Sequence, residues 1–303
     1  MSPFRSLLSI LCLILAYSCA QAWNFALEGT QSDSRENFSS LVAIWTCSQT
    51  LGGGSLISNH VVLTAWKPFE DRNVSEIRVS FNPSMESFKE YGVKSIVRHP
   101  NFSRTSGAYN LALLFLKKPV KFTTEIQPIT LATLTSVRNL DLTQCIAKGS
   151  GMGTFPMQIV PTATCQQDFR RWLGASFEVD GSLMCAGGGV GRNMCEQDGY
   201  PLVCPLVRDP SKFQQVGIVN WHIHCGQDAL PDVYTNVAKV HDWINQQIRL
   251  NPYVDEPSAK EDNGELPLCP MNMEEMEPFG PGAVPLPVGW QPTNTFPSPL
   301  PLI

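Results

Sequence analysis

Positive charge is in short supply in this chain. Lysine and arginine number 22 against 27 aspartates and glutamates, which sets the net charge at −5 and the isoelectric point near 5.6. Nucleic-acid binding relies on a basic face that neutralises phosphates, and this balance points to no nucleic-acid partner. Long apolar runs are equally scarce. Beyond the first 22 residues no stretch approaches the ~18 apolar residues of a membrane-spanning helix, so no membrane span is expected. No set of metal-ligating residues stands out either. His222 and His224 lie near Cys225, but two alternating histidines are weak ligand spacing, and neither a metal nor any other cofactor is expected.

Leu7 to Ala16 is almost uninterruptedly apolar, follows Arg5, and leads to the small-x-small site Ala20-Gln21-Ala22. This is the layout of a secretory signal peptide over residues 1–22, cut before Trp23, and it predicts a secreted, extracellular product. Of ten cysteines, Cys12 and Cys19 leave with the leader. Eight remain, an even number in an oxidising compartment, which predicts four disulfides. Sequons at Asn37, Asn73 and Asn101 are candidate glycosylation sites.

The remaining chain divides by composition. Residues 23–40 are polar and aperiodic. Residues 41–250 carry short β-rich runs punctuated by turns: Leu41–Ile44, Ser55–Ile57, Val61–Thr64, Ile77–Phe81, Val93–Arg98, Leu111–Leu116 and Val216–Trp221. The Ser58-Asn59 pair suits a tight hairpin. Val237, Val240, Ile244 and Ile248 recur at helical spacing and predict one late helix. Many evenly spaced strands with one helix predict an all-β, barrel-type domain. Residues 251–303 hold 12 of the 24 prolines and eight acidic residues against one basic, Lys260. Proline removes backbone donors and fixes φ, so an extended, disordered proline-rich tail is expected. Phe279, Trp290 and Phe296 are its candidate docking anchors.

Several blocks resemble the trypsin-like serine proteases. Leu51–Lys67 reads L-G-G-G-S-L-I-S-N-H-V-V-L-T-A-W-K, like the family's C-G-G-S-L-I-S and V-L-T-A-A-H-C. Tyr109–Leu116 resembles N-D-I-A-L-L-K-L, and Cys145–Gly151 resembles C-x-x-x-G-W-G. Met184-Cys185-Ala186-Gly187 matches a further block, and G-I-V-N-W, P-D-V-Y-T-N-V and W-I close the domain in family order. Cys195–Cys204, C-E-Q-D-G-Y-P-L-V-C, resembles the nucleophile loop C-x-G-D-S-G-G-P-L-V-C, yet is one residue short and has no serine. The resemblance, closest to insect members, implies two six-stranded antiparallel β-barrels of the trypsin-like fold, a C-terminal helix, and a cleft between the barrels.

That chemistry needs a hydroxyl nucleophile, an imidazole that takes its proton, and a carboxylate that orients the imidazole. By resemblance the histidine position is Lys67 and the aspartate position Asn110. The serine is either deleted, with Asp198 matching the aspartate that precedes it, or replaced by Asp198; deletion is the preferred reading. The shortened loop disrupts the oxyanion donors. Ser55 is the nearest substitute hydroxyl to Lys67 but is expected to lie within a strand. No activation site is found: Arg35 is followed by Glu36-Asn37.

The resemblance places further residues around a binding groove. His222 and Asp232 stand where glycines line the family's pocket and are expected to fill it, with a His222–Asp232 pair as one arrangement. Asn193 takes the pocket-base position beside the cleft tryptophan, Trp221. It also implies the disulfides Cys145–Cys204, Cys165–Cys185 and Cys195–Cys225, each worth roughly 3–4 kcal/mol by loop entropy. The histidine-loop disulfide is missing at both its positions, Gly52 and Pro68. Cys47 and Cys269 are left and are expected to pair within the chain, with an intermolecular bridge as the rival.

These features predict a pseudoprotease: a secreted, catalytically inactive homologue with an extracellular protein partner, such as an active serine protease or its substrate. The expected settings are reproductive fluid or, alternatively, an immune protease cascade as a cofactor. The short stretch between Trp23 and Leu41 has no room for the clip domain usual in the latter. An active hydrolase with an atypical triad and a structural protein that works through its tail are the competing classes.

Overall fold

The computed structural model describes residues 38–81, 89–149, 154–187, 194, 197–223 and 230–254. The expected leader, the N-terminal segment to Asn37, and the tail from residue 255 lie outside the described residues.

Leu41–Thr46 forms β1 and alternates half-buried with buried positions, the period of two of a strand with one face on a core. β2 (Gln49–Ser58), β3 (Val61–Thr64), β4 (Arg78–Phe81), β5 (Glu90–Arg98) and β6 (Ala112–Leu116) follow. They close into a barrel in the order β1-β2-β3-β6-β5-β4, because β1 also pairs with β4. Closure leaves no open edge to be covered. Val42, Ile44, Leu56, Val79, Leu114 and Leu116 fill the interior.

The second half is a sheet of eight strands, two of them only two residues long, and with the first barrel it makes the expected all-β, two-barrel fold. Its strands are β7 (Thr130–Leu131), β8 (Cys145–Lys148), β9 (Thr154–Met157), β10 (Ile159–Val160), β11 (Leu183–Gly187), β12 (Pro201–Leu206), β13 (Asp209–Trp221) and β14 (Pro231–Asn236). The main path runs β10-β11-β14-β13-β12-β8-β9, with β7 added in parallel to β13. Ala147, Met157, Leu202, Val216 and Tyr234 form its core.

Two α-helices are present among the described residues where one was expected: α1 (Thr162–Leu173) and α2 (Val237–Leu250). In α1 only Cys165 and Phe169 are buried, a single i, i+4 pair, so its sequence carries little helical period. In α2, Val237, Val240 and Ile244 are buried together with Leu63, Leu113, Phe115 and Ile218, so the helix spans residues of both sheets.

Polar contacts also join the halves. Ser55 Oγ, fully buried, donates to Gln215 Oε1 at 2.5 Å. Gly53 N–H donates to the Asp198 carbonyl at 2.9 Å, and Thr64 Oγ1 donates to the Gly53 carbonyl at 2.6 Å. The ring of Tyr200, 2% exposed, lies where a side chain on Gly53 would be. Gly52 has φ +141°, and a Cβ there would overlap the Asp198 carbonyl, so the residue standing at one missing cysteine position is held to glycine.

Cys145–Cys204 ties β8 to β12, and Cys165–Cys185 ties α1 to β11. Cys47, exposed in the β1–β2 turn, is also disulfide-bonded. Cys195, Cys225 and Cys269 lie outside the described residues.

Candidate functional site

The cleft residues come from three places: the short 3₁₀ turn Lys67–Phe69 after β3, the loop between β5 and β6, and the loop that enters β12. Pro68 at the start of the 3₁₀ turn supplies a preset φ. Lys67 is exposed, and Asn110 is 1% exposed.

Asn110 is held at every polar atom. Its Oδ1 accepts the backbone N–H groups of Trp66 and Lys67, each at 2.9 Å. Its Nδ2 donates to Asn220 Oδ1 at 2.9 Å, and its carbonyl accepts Thr235 Oγ1 at 3.0 Å. Asn220 is fixed in turn: its Nδ2 donates to the Gly107 carbonyl at 2.8 Å and to Thr235 Oγ1 at 3.1 Å. A carbonyl only accepts and a backbone N–H only donates. Both amide orientations therefore follow from the backbone. The oxygen that Asn220 turns towards position 110 requires a donor there, and asparagine supplies one where an aspartate cannot. Neither Asn220 nor Thr235 carried an expectation from sequence, although both lie inside the motifs that defined the resemblance.

Tyr109, next to Asn110, has φ +52°, an unfavourable conformation for a bulky residue. Its ring stacks on His99 at 4.5 Å and 13°, and its N–H is held by Ser182 Oγ at 3.0 Å. These contacts fix the backbone that presents Asn110.

Burial pushes the Asp198 carboxyl up to about 6, while the Lys67 cation pulls in the opposite direction. On either reading of the loop, serine deleted or replaced by Asp198, it holds no hydroxyl nucleophile. Ser55 is committed to Gln215 in the interior and is far from a solvent-facing nucleophile.

The pocket residues behave differently from one another. Asp232, 3% exposed on β14, accepts the Met194 N–H at 2.8 Å through Oδ2. Burial raises its carboxyl to about 7, against the lowering effect of that hydrogen bond. The Tyr234 hydroxyl beside it is pushed well above its usual range by burial and by the Asp232 charge. His222 is lowered, first by burial and then by the Lys67 cation. Its Nδ1 is buried with no hydrogen-bond partner among the described residues. No His222–Asp232 hydrogen bond is found among the described contacts. Trp221 packs its ring against Phe169 at 5.1 Å and Phe177 at 6.3 Å. Gly107, at φ +69°, approaches so closely that a Cβ there would come within 2.6 Å of Trp221 Cδ1. Asn193 and His224 lie outside the described residues.

Chemically, the side chains at the three positions are an ammonium, an amide and a half-buried carboxyl. A lysine ammonium accepts no proton near neutrality, and an amide cannot stabilise an imidazolium by charge. Among the described residues no group of three His, Cys, Asp or Glu side chains is arranged to hold a metal. No helix among them is long and apolar enough to cross a membrane.

At the candidate glycosylation sites, Asn73 is exposed and its Oδ1 accepts both Ser75 N–H at 3.1 Å and Ser75 Oγ at 2.9 Å. Asn101 is exposed in the turn after β5. Asn37 is outside the described residues.

Comparison with known proteins adds relatives to this geometry. The family profile described as Trypsin matches residues 28–244. Phenoloxidase-activating factor 2 of Galleria mellonella is 32% identical over 218 residues, covering 65% of this chain and 72% of the relative. Inactive CLIP domain-containing serine protease A8 of Anopheles gambiae is 30% identical over 217 residues, covering 65% of this chain but 59% of that relative, so the match omits a large part of it. Kallikrein-12 of Homo sapiens is 30% identical over 224 residues, covering 66% and 81% respectively.

Proposed function

From the premise that this chain belongs to the trypsin family of serine proteases, we propose that it is a secreted, non-catalytic member. In this reading it acts outside the cell as a partner or cofactor of an active protease, or of such a protease's substrate. The observation that carries the proposal is that the positions resembling the family's histidine and aspartate hold Lys67 and Asn110, and that the shortened loop around Asp198 holds no serine. Family membership alone does not decide activity, since one relative is named inactive and others are not.

The frame of the cleft supports the same reading. Asn110 is matched to its surroundings as an amide, so its replacement of a carboxylate is built in rather than incidental. The groove holds a buried carboxyl from Asp232 and a half-buried imidazole from His222. A scaffold that keeps its barrels and disulfides retains surfaces on which binding can evolve, because function resides in sites rather than folds.

Of the two extracellular settings, a protease cascade is the one the relatives favour: one is named for activating phenoloxidase and another is named inactive. The proposal includes the leader at 1–22, export without proteolytic activation, and glycans on Asn37, Asn73 and Asn101, with Asn73 and Asn101 accessible to modification.

The experiment that tests the cofactor role adds the purified mature chain to a trypsin-family protease of its source fluid together with that protease's protein substrate. Binding to one of the two, and a change of severalfold or more in the cleavage rate, is the expected result. If neither component binds and the rate is unaltered across the proteases of that fluid, the cofactor role is wrong.

A further inference from the structure

Only 22 of the 303 residues are lysine or arginine, yet three lysines stand within five residues: Lys117, Lys118 and Lys121. They follow β6 directly, at the end of the strand opposite Asn110, and all three are exposed. Between them Val120 is 4% exposed and belongs to the first core, so the segment is anchored at its middle. Its backbone is tied to two neighbours. Lys117 N–H donates to the Gly92 carbonyl of β5 at 2.9 Å, and Val120 N–H donates to the Asn59 carbonyl of the β2–β3 turn at 2.6 Å. Phe122 follows and is 42% exposed. Lys94 is exposed in the β5 bulge, between the residues that pair with Leu116 and Phe115, beside the start of the segment.

Among the described residues Lys117, Lys118 and Lys121 form no ion pair and lie over no aromatic ring. Elsewhere exposed cations are engaged: Arg104 meets Glu70 at 3.2 Å, Arg171 meets Asp168 at 3.7 Å, and Lys212 meets Asp209 at 3.0 Å. The one acidic side chain on the stretch 117–127, Glu125, accepts Thr123 Oγ1 at 2.9 Å and also Thr124 Oγ1. Like charges held together on a pinned backbone repel one another. The arrangement costs the free domain and favours whatever brings negative charge to it.

We infer that Lys94, Lys117, Lys118, Lys121 and Phe122 form a docking ridge for an acidic segment of an extracellular protein, one that carries an apolar side chain among its carboxylates. Phe122 decides the class of partner. A sulfated polysaccharide has charge but no apolar side chain to cover an exposed ring, whereas an acidic peptide has both, matching the aromatic anchor and charged rim of protein interfaces. The inference rests on the reading of this chain as a partner of another extracellular protein, and it places that partner at the end of the first barrel away from Asn110.

Fluorescence anisotropy tests it on the full secreted chain, with a labelled peptide of alternating Glu and Leu as the probe and its Gln-for-Glu counterpart and a heparin oligosaccharide as comparisons. The acidic peptide is expected to bind, and to bind less tightly as salt rises; its neutral counterpart is expected not to bind. Lys117→Gln/Lys118→Gln/Lys121→Gln is expected to weaken binding about tenfold, as for the loss of three exposed ion pairs, and Phe122→Ser severalfold. An equal loss in Arg138→Gln/Arg208→Gln/Lys239→Gln, which removes the same charge from other exposed positions, would reduce the effect to net charge and overturn the ridge. Tighter binding of the heparin oligosaccharide, unchanged by Phe122→Ser, would make the partner a polysaccharide and overturn it as well. So would peptide binding that emerges only on removal of residues 255–303, which would make the chain's own acidic segment the occupant. The cleavage-rate assay with the triple lysine variant separates this inference from the cofactor role: a variant that alters the rate as the parent does leaves that role standing and overturns the ridge.

Discussion

Asp232→Asn is expected to stabilise the protein at pH 8 and to leave it nearly unchanged at pH 5. Asp232 is buried, its carboxylate accepts the Met194 N–H, and burial raises its pKa to about 7. A carboxyl raised in the folded state binds its proton more tightly there than in the unfolded chain. Stability is therefore greatest below the unfolded value near 4, falls as pH rises towards the folded value, and stays reduced above it. A shift of about three units corresponds to about 4 kcal/mol at most. Asparagine keeps an oxygen for the Met194 N–H but adds a buried NH2 group, which costs about 1–3 kcal/mol if unpaired. The net gain at pH 8 is then about 1–3 kcal/mol, a rise in Tm of roughly 3–10 °C for a domain of this size. His222, His60 and His99 are all lowered by burial, and such groups destabilise the fold as pH falls below the unfolded histidine value. They give the parent a slope of the opposite sign in acid. The difference between parent and variant cancels them and isolates Asp232. Thermal unfolding from pH 5 to pH 8 measures it, and a gain that is the same at both ends would show that Asp232 is not the titrating group.

The second large effect concerns the seam between the sheets. Gly53→Ala is expected to lower stability by about 3 kcal/mol, the upper range for overpacking, or roughly 6–12 °C in Tm. The added methyl would overlap the ring of Tyr200, which is buried and cannot swing into solvent. Gly53 is also pinned on both sides, by the Asp198 carbonyl and by Thr64 Oγ1, so its backbone has little room to retreat. Tyr200→Ala alone leaves a cavity and costs about 3–5 kcal/mol, as for other large aromatic truncations. In that background, Gly53→Ala is expected to cost almost nothing. The double-mutant cycle reports the contact directly: a coupling of about 2 kcal/mol or more is the predicted value. Equal penalties for Gly53→Ala in both backgrounds would mean that the ring and the glycine do not meet.

Legibility from sequence followed the physics of each element. β1, β3 and β6 were recognisable because Val, Ile and Leu recur at strand spacing or in short apolar runs bounded by turns. The start of β13, Asp-Pro-Ser-Lys-Phe-Gln-Gln, has no such pattern, and its pairing with β12 is set by long-range contacts. α1 was missed because two buried side chains make too thin a stripe. The family blocks identified Lys67 and Asn110, yet sequence gives the type of a side chain and not its direction. The reciprocal amides of Asn110 and Asn220 became visible only from their backbone partners. Tyr200 stands in the Cys195–Cys204 loop in place of a glycine without any sign that its ring would cover Gly53. The Met194 N–H that Asp232 Oδ2 accepts is likewise a consequence of the fold.

Restoring two of the three degenerate positions gives no simple route back to catalysis. Lys67→His supplies an imidazole, but Asn110→Asp sets a carboxylate oxygen against Asn220 Oδ1, now 2.9 Å from an amide nitrogen. Asn220 cannot reverse without losing the Gly107 carbonyl and Thr235. The loop around Asp198 would still hold no serine.

The most direct measurement is turnover of a broad peptide library by the mature chain and by the Lys67→His/Asn110→Asp double variant, with a serine-reactive phosphonate probe as a parallel label. No cleavage and no labelling by either protein is the predicted result. Turnover by the parent that Lys67→Ala abolishes, or measurable cleavage by the double variant, would contradict a non-catalytic cleft.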